Sequence, residues 1–218
     1  MNKKLHTLAL TSILILGSTA AWAGRPLVVD DANTNDKGKG QIEFWATHAT
    51  GVRLLSLAPA YAVADGLELG ALLSRESNTR LRVSALQFKW RITPSQENGC
   101  NFGVVGGVTR ASVAGANANG SYVNGLGTCN FGTGGSLHAN LGLTKVNGGG
   151  SSTSNWGIAY ERAFGVVTPH IEWFGAEGSK PTLQIGLRSQ LTDSLQLDGS
   201  IGHSDGESIY TLGVKFSF

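Results

Sequence analysis

Residues 182–201 read TLQIGLRSQLTDSLQLDGSI, and apolar side chains alternate there with polar or small ones. In the first half, one face carries Leu183, Ile185, Leu187 and Leu191, and the opposite face carries Gln184, Gly186, Arg188 and Gln190. This period of two residues is that of a β-strand and not of a helix. The alternation resumes at Leu195 after the turn-forming residues 192–194. The stretch is therefore predicted to be a β-hairpin with one apolar face.

Comparable segments of about ten residues recur from Gly40 onward and are separated by turn residues, a pattern typical of transmembrane β-barrels. They predict strands at 40–50, 52–63, 67–77, 81–92, 100–112, 119–131, 136–146, 154–163, 168–178, 181–191, 195–204 and 208–218. Single-chain bacterial barrels have an even number of strands. The predicted fold is all-β, a closed antiparallel transmembrane β-barrel of about 12 strands, with ten or fourteen strands as alternatives.

The composition agrees with a wall that faces lipid. Charged residues make up 15% of the chain, against roughly 25% in ordinary soluble domains, and glycine accounts for 31 of 218 residues. Such a low charge does not suit a surface bathed in water. The formal net charge of +2 gives no sign of a nucleic-acid partner.

The N-terminus has the features of an export signal. Lys3 and Lys4 precede an apolar stretch at residues 8–16, and Ala21-Trp22-Ala23 has the small-x-small form of a cleavage site. Residues 1–23 are thus predicted to be a cleaved signal peptide, residues 24–39 a periplasmic or lumenal N-terminal segment, and residues 40–218 the barrel. No later apolar run is long enough for a transmembrane helix. The expected location is the bacterial outer membrane.

Cys100 and Cys129 are expected to form a disulfide, since an exported chain meets oxidising conditions. With both termini in the periplasm, the two cysteines fall at the periplasmic end of neighbouring strands. Pairing them places the hairpin turn at residues 114–115, within a glycine- and asparagine-rich stretch. The same register sets Phe102 opposite Gly127.

The alternation is irregular in two places. Within residues 81–92 the apolar phase changes after Ala85, which predicts a β-bulge near that residue. Leu54 and Leu72 also fall on the face that otherwise carries polar residues, which indicates a partly filled interior.

The last strand ends with Thr211, Gly213, Phe216 and Phe218 at alternate or near-alternate positions. This arrangement resembles the C-terminal signal of outer-membrane proteins, in which a polar residue, a glycine and two aromatic residues occupy such positions. The resemblance implies that the barrel-assembly machinery recognises this strand.

A second resemblance covers residues 25–32, RPLVVDDA, and residues 37–43, KGKGQIE. Together they look like the opening of the outer-membrane transporter family named for the MetA pathway of phenol degradation. That resemblance implies a barrel protein, and it implies uptake of a small aromatic or hydrophobic solute.

With the apolar faces turned toward lipid, a set of charged and aromatic residues is predicted to line the interior. The pore-lining candidates are Glu43, Trp45, Glu68, Lys89, Arg91, Glu161, Glu172, Phe174, Arg188 and Asp198. Both signs of charge are present, so pairing across the interior predicts a narrow or occluded pore. Trp45 and Phe174 are the first candidates for contact with an aromatic ligand. The simpler interpretation is the polar filling that any barrel needs.

Enzyme motifs are poorly matched. His170-Ile171-Glu172 resembles half of a deaminase signature, but no Pro-Cys-x-x-Cys follows. His203 beside Ser204, or His48, would suit a lipid-modifying barrel enzyme. We expect no catalytic residues, no metal and no cofactor. The predicted function is a membrane barrel that passes or binds a small solute; the alternative is a non-transporting barrel, structural or lipid-modifying.

Overall fold

A computed structural model describes residues 27–149 and 151–218. The strands are β1 (Gly40–Ala49), β2 (Val52–Ala64), β3 (Leu67–Glu76), β4 (Arg82–Arg91), β5 (Gly99–Val113), β6 (Ala116–Phe131), β7 (Gly135–Val146), β8 (Thr153–Arg162), β9 (Val167–Ala176), β10 (Thr182–Gln190), β11 (Leu195–Ser204) and β12 (Glu207–Ser217). The predicted signal peptide, residues 1–23, and residues 24–26 lie outside the described residues. Within the described part of the chain, no helix is long and apolar enough to cross a membrane.

Each strand pairs antiparallel with its neighbours in sequence, and β12 pairs with β1 to close the cylinder. At the closing seam the Gly40 amide donates to the Phe218 carbonyl at 2.8 Å, and the Phe218 amide donates back to Gly40 at 2.9 Å. Closure leaves no strand edge unpaired, as hydrocarbon surroundings demand. The predicted twelve-stranded closed antiparallel barrel is confirmed.

The two faces of the wall differ in polarity. Large apolar side chains point outward along every strand; Leu141 and Leu212 are 70% and 73% exposed. The inward face carries mostly buried Asn, Gln, Ser, Thr, His and charged residues. A continuous apolar exterior of this extent is unsuited to water and matches a lipid environment.

The hairpin of β5 and β6 forms as predicted. Cys100 lies directly opposite Cys129, and the two form a disulfide on the outward face. Ala114 and Gly115 both have positive φ, 48° and 84°, as a two-residue type I′ turn requires.

The predicted β-bulge near Ala85 is wrong. Strand β4 pairs without interruption with β3 and β5 over its whole length, and the register shift in this region lies between Ala62 and Ala64 of β2. Val83 and Ala85 stay on the inward face and pack in an apolar cluster with Leu72. The cluster also contains Ala58 and Trp45. The apolar phase changes because this part of the interior is itself apolar, which also accounts for the inward-facing Leu72.

The barrel has two rims, which we call the near rim and the far rim. The near rim carries Gly40 and Ser217, and the far rim carries Ala49 and Glu207. Exposed aromatic side chains lie on the outer surface around the near rim: Tyr61, Trp90, Phe102, Phe131, Tyr160, Phe164, Phe216 and Phe218. Aromatic belts of this kind mark the interfaces of membrane barrels.

Candidate functional site

Residues 27–35 of the N-terminal segment run inside the barrel, and residues 36–39 are exposed at the near rim. Before the chain turns into β1, residues of this segment contact the inward faces of the wall from β3 to β9. Val29 is 1% exposed, and Asp30 and Ala32 are fully buried. The segment thus fills part of the lumen.

The backbone of the segment is held by polar side chains of the wall. The amides of Val28 and Val29 both donate to Glu172 Oε2, at 2.7 and 2.8 Å. The Asp30 amide donates to Asn140 Oδ1 at 2.6 Å, and Asn140 Nδ2 donates to the Asp30 carbonyl at 2.8 Å. The Ala32 amide donates to Thr128 Oγ1 at 2.8 Å. A buried backbone outside the sheet has no ladder partners, so these side chains supply the hydrogen bonds it needs.

Charged contacts fix the middle of the segment. Lys89 Nζ lies 2.7 Å from Asp30 Oδ1 and 3.8 Å from Asp31 Oδ1. The Asn35 amide and its side-chain nitrogen both donate to Glu68 Oε2, at 3.0 and 2.7 Å. Lys89 and Glu68 therefore bind the protein's own segment.

Apolar contacts also hold the segment in the lumen. Leu27 and Val29 pack with Ala159, and Phe174 packs against this cluster. A Cβ atom added at Gly157 of β8 would lie 2.6 Å from Val29 Cγ2. A side chain at that position would collide with Val29 unless the segment shifted, so the close approach depends on glycine.

A second polar network begins at the segment and follows the wall. Thr128 Oγ1, which accepts from the segment, lies 3.0 Å from His138 Nδ1, and His138 Nε2 lies 3.5 Å from Glu161 Oε1. Glu161 forms a two-point ion pair with Arg188, at 2.8 and 2.9 Å. The side chain of Arg188 is 28% exposed and that of Glu161 is 12% exposed. This pair therefore borders the part of the interior that solvent reaches.

All ten residues predicted to line the interior have inward-facing positions and are buried or half-buried: Glu43, Trp45, Glu68, Lys89, Arg91, Glu161, Glu172, Phe174, Arg188 and Asp198. The structure brings Glu161 and Arg188 together across β9. Asp198 lies directly opposite Arg188 in the register, and Glu43 lies opposite Lys215 and accepts a hydrogen bond from Gln41.

The two aromatic candidates belong to different surroundings. Phe174 packs against Leu27 and Val29 of the N-terminal segment, whereas Trp45 packs in the apolar cluster with Ala58 and Leu72. The structure therefore does not join Trp45 and Phe174 into one aromatic site.

Four wall residues were not predicted from the sequence: Thr128, Asn140 and Gly157, which lie against the segment, and His138, which contacts Thr128. Their only sequence signal is a polar or small residue at an inward position of a strand. The Asp30–Asn140 contact joins residues 110 positions apart, which no local pattern reveals.

The residues considered for enzymatic roles do not assemble into a catalytic arrangement. His203 points outward from β11 while Ser204 occupies the opposite face, and Ser204 Oγ donates to the carbonyls of Lys180 and Pro181. His170 lies on the inward face, with Nε2 3.8 Å from Glu172 Oε1. Among the described residues, no group of three or more His, Cys, Asp or Glu could hold a metal ion.

A family model described as "uncharacterised conserved protein UCP029691" matches residues 11–216. The chain belongs to this family. Membership of the phenol-degradation family that residues 25–32 and 37–43 resemble is not confirmed. No curated protein matches the chain.

Solved structures share the fold of this family member at low sequence identity. The KdgM porin, also solved in complex with disordered oligogalacturonate, has a TM-score of 0.66 and 14% identity, covering 82% of this chain and 99% of that one. The NanC porin has a TM-score of 0.59 and 8% identity, covering 80% and 98%. The outer membrane protein Omp33 of Acinetobacter baumannii has a TM-score of 0.55 and 6% identity, covering 84% and 99%. The fold is therefore that of porin-like barrels.

Proposed function

We propose that this protein is an outer-membrane channel for small solutes, and that its N-terminal segment forms the constriction. The proposal rests on the position of residues 27–35 within the lumen, where wall residues bind the segment's backbone and charges. The apolar exterior supports membrane embedding, and the porin-like fold supports passage through the barrel.

The remaining passage carries charges of both signs. Arg188 and Glu161 border it, and Asp31 of the segment keeps 24% of its side chain exposed. Because paired opposite charges produce little net field, we propose that size selects the solute more than charge does. An aromatic solute would contact Trp45, which is half-buried on the inward face and does not pack against the N-terminal segment as Phe174 does.

We further propose that the near rim faces the periplasm, since both chain ends of the barrel lie there. In this orientation the segment enters the lumen from the periplasmic side. The terminal strand, with Thr211, Gly213, Phe216 and Phe218, would be the part that the barrel-assembly machinery recognises. We propose no enzymatic activity.

A liposome-swelling assay tests the proposal. Vesicles that contain the purified protein should swell in small sugars and amino acids, and the rate should fall steeply as the solute grows. Protein-free vesicles, and vesicles with protein that has been boiled and fails to insert, serve as controls. Swelling no faster than in these controls, from protein that runs as a folded barrel on gels, would refute a channel.

A further inference from the structure

The outer wall near the far rim holds a groove that the channel proposal leaves unexplained. It spans β1 to β5 and has a volume of about 530 Å³. Its lining includes outward-facing apolar side chains and three arginines: Phe44, Leu55, Leu57, Leu73, Arg75, Arg82 and Arg110.

The arginines crowd one another. Arg75 lies directly opposite Arg82 across β3 and β4, and Arg110 of β5 is the diagonal neighbour of Arg82. Like charges at directly opposite positions destabilise a sheet. Among the described residues, none of the ion pairs within 4.0 Å involves these three arginines. An anion from outside the chain would therefore relieve the repulsion among these arginines.

The groove is amphipathic along the barrel axis. Arg75 and Arg82 lie next to the turn between β3 and β4, at the far rim, whereas Leu57 and Leu73 lie closer to the middle of the wall. Exposed apolar side chains beneath a cationic cluster match a ligand with a negative headgroup and hydrocarbon chains. Arginine suits phosphate in particular, because its planar guanidinium binds two oxygens at once.

We propose that this groove binds one phosphorylated glycolipid of the outer leaflet, of the lipid A class. Arg75, Arg82 and Arg110 bind a headgroup phosphate, and an acyl chain lies along Leu55, Leu57 and Leu73. The inference rests on the proposed outer-membrane location, with the far rim facing outward. The near rim has a different character, since Arg162 there lies over the ring of Phe164, 5.3 Å from its centre.

The test uses the full-length protein in detergent and its variant R75Q/R82Q/R110Q. Binding of diphosphoryl lipid A, dephosphorylated lipid A and phosphatidylglycerol is measured by native mass spectrometry. The matched control is K145Q/R162Q, which removes two exposed cations outside the groove. Heat-modifiable gel mobility checks that each protein is folded, and the single variant R82Q replaces the triple variant if the latter does not fold.

We expect the wild type and the control to bind diphosphoryl lipid A at least about tenfold more tightly than either other lipid. The triple variant should lose about tenfold in affinity for diphosphoryl lipid A. If R82Q is used instead, its affinity for this lipid should fall several-fold. Equal binding by wild type and groove variant, or equal binding of phosphatidylglycerol and lipid A, would overturn the inference. Liposome swelling reports on the channel separately: a groove variant that still passes solutes but loses lipid A supports the site. A wild type that binds lipid A through these arginines but passes no solute would leave the site standing and refute the channel.

Discussion

Lys89 Nζ of β4 lies 2.7 Å from Asp30 Oδ1 of the N-terminal segment, and both side chains are almost fully shielded from solvent. The wall and the segment are thus joined by a buried ion pair. Such a pair is costly to break from one side, because the remaining charge stays buried without compensation. This contact therefore makes the position of the segment testable by substitution.

Lys89→Met should destabilise the folded barrel and release the segment. Removing one partner of a buried pair costs about 3–5 kcal/mol. Urea unfolding in detergent micelles, followed by gel mobility, should show a lower midpoint for K89M. The double variant D30N/K89M removes both charges of the Asp30–Lys89 pair and should recover part of the loss. Equal midpoints for K89M and the wild type would mean that the pair does not hold the segment.

Gly157→Ala should displace the segment without changing any charge. The new Cβ would lie 2.6 Å from Val29 Cγ2, closer than real contacts allow. We expect a loss of about 1–3 kcal/mol in stability, as for other overpacked sites, and a larger ionic conductance in planar bilayers. Gly125→Ala is the matched control, because its Cβ would lie no closer than 3.8 Å to its nearest neighbour. If G157A has the same stability and conductance as G125A, Val29 does not lie against Gly157.

Reduction of the Cys100–Cys129 disulfide should lower stability while the barrel stays closed. The bridge closes a loop with a sequence separation of 29, and the chain-entropy argument gives a contribution of about 3–4 kcal/mol. The β5–β6 hydrogen bonds remain without the bridge, so the native fold should persist in the absence of denaturant. Urea midpoints with and without reductant measure the effect. The variant C100S/C129S should not respond to reductant, and a wild type that is equally unresponsive would contradict a stabilising bridge.

Phe218→Ala should reduce assembly in cells more than refolding in detergent. The Phe218 backbone closes the seam with Gly40, and that hydrogen bonding is kept in the variant. Loss of the ring removes a terminal aromatic that we propose the assembly machinery recognises. The ratio of folded to unfolded protein in outer-membrane fractions is compared with the yield of refolding in detergent. Phe131→Ala, another exposed near-rim aromatic, is the control; an equal loss for both variants in cells would argue against a recognition role.

The architecture was predictable because it rests on a local rule. Side chains alternate between lipid and lumen, so twelve strands, the Cys100–Cys129 register and the turn at residues 114–115 all follow from neighbouring residues. The rule failed at Ala85, where the interior is apolar and the phase of the hydrophobic residues no longer indicates the lipid face. A bulge was predicted there because the sequence alone does not reveal what fills the lumen.

The site was predictable only in part. Alternation placed Glu172 and Lys89 on the inward face, but it did not indicate that both bind residues 28–31. Those contacts join strands to an irregular segment far away in sequence, and an irregular segment has no period from which its neighbours follow. Residues 24–39 thus fitted a periplasmic or a lumenal position equally well.

The single-channel conductance of a protein that lacks residues 27–36 tests the central claim most directly. Deletion stops at residue 36 because the Gly38 amide and the Lys39 carbonyl are hydrogen-bonded to Ala62 of β2 and help to hold the rim. If the segment forms the constriction, the shortened protein, folded by the criterion of gel mobility, should conduct several-fold more current per channel than the wild type. An unchanged conductance would contradict the account.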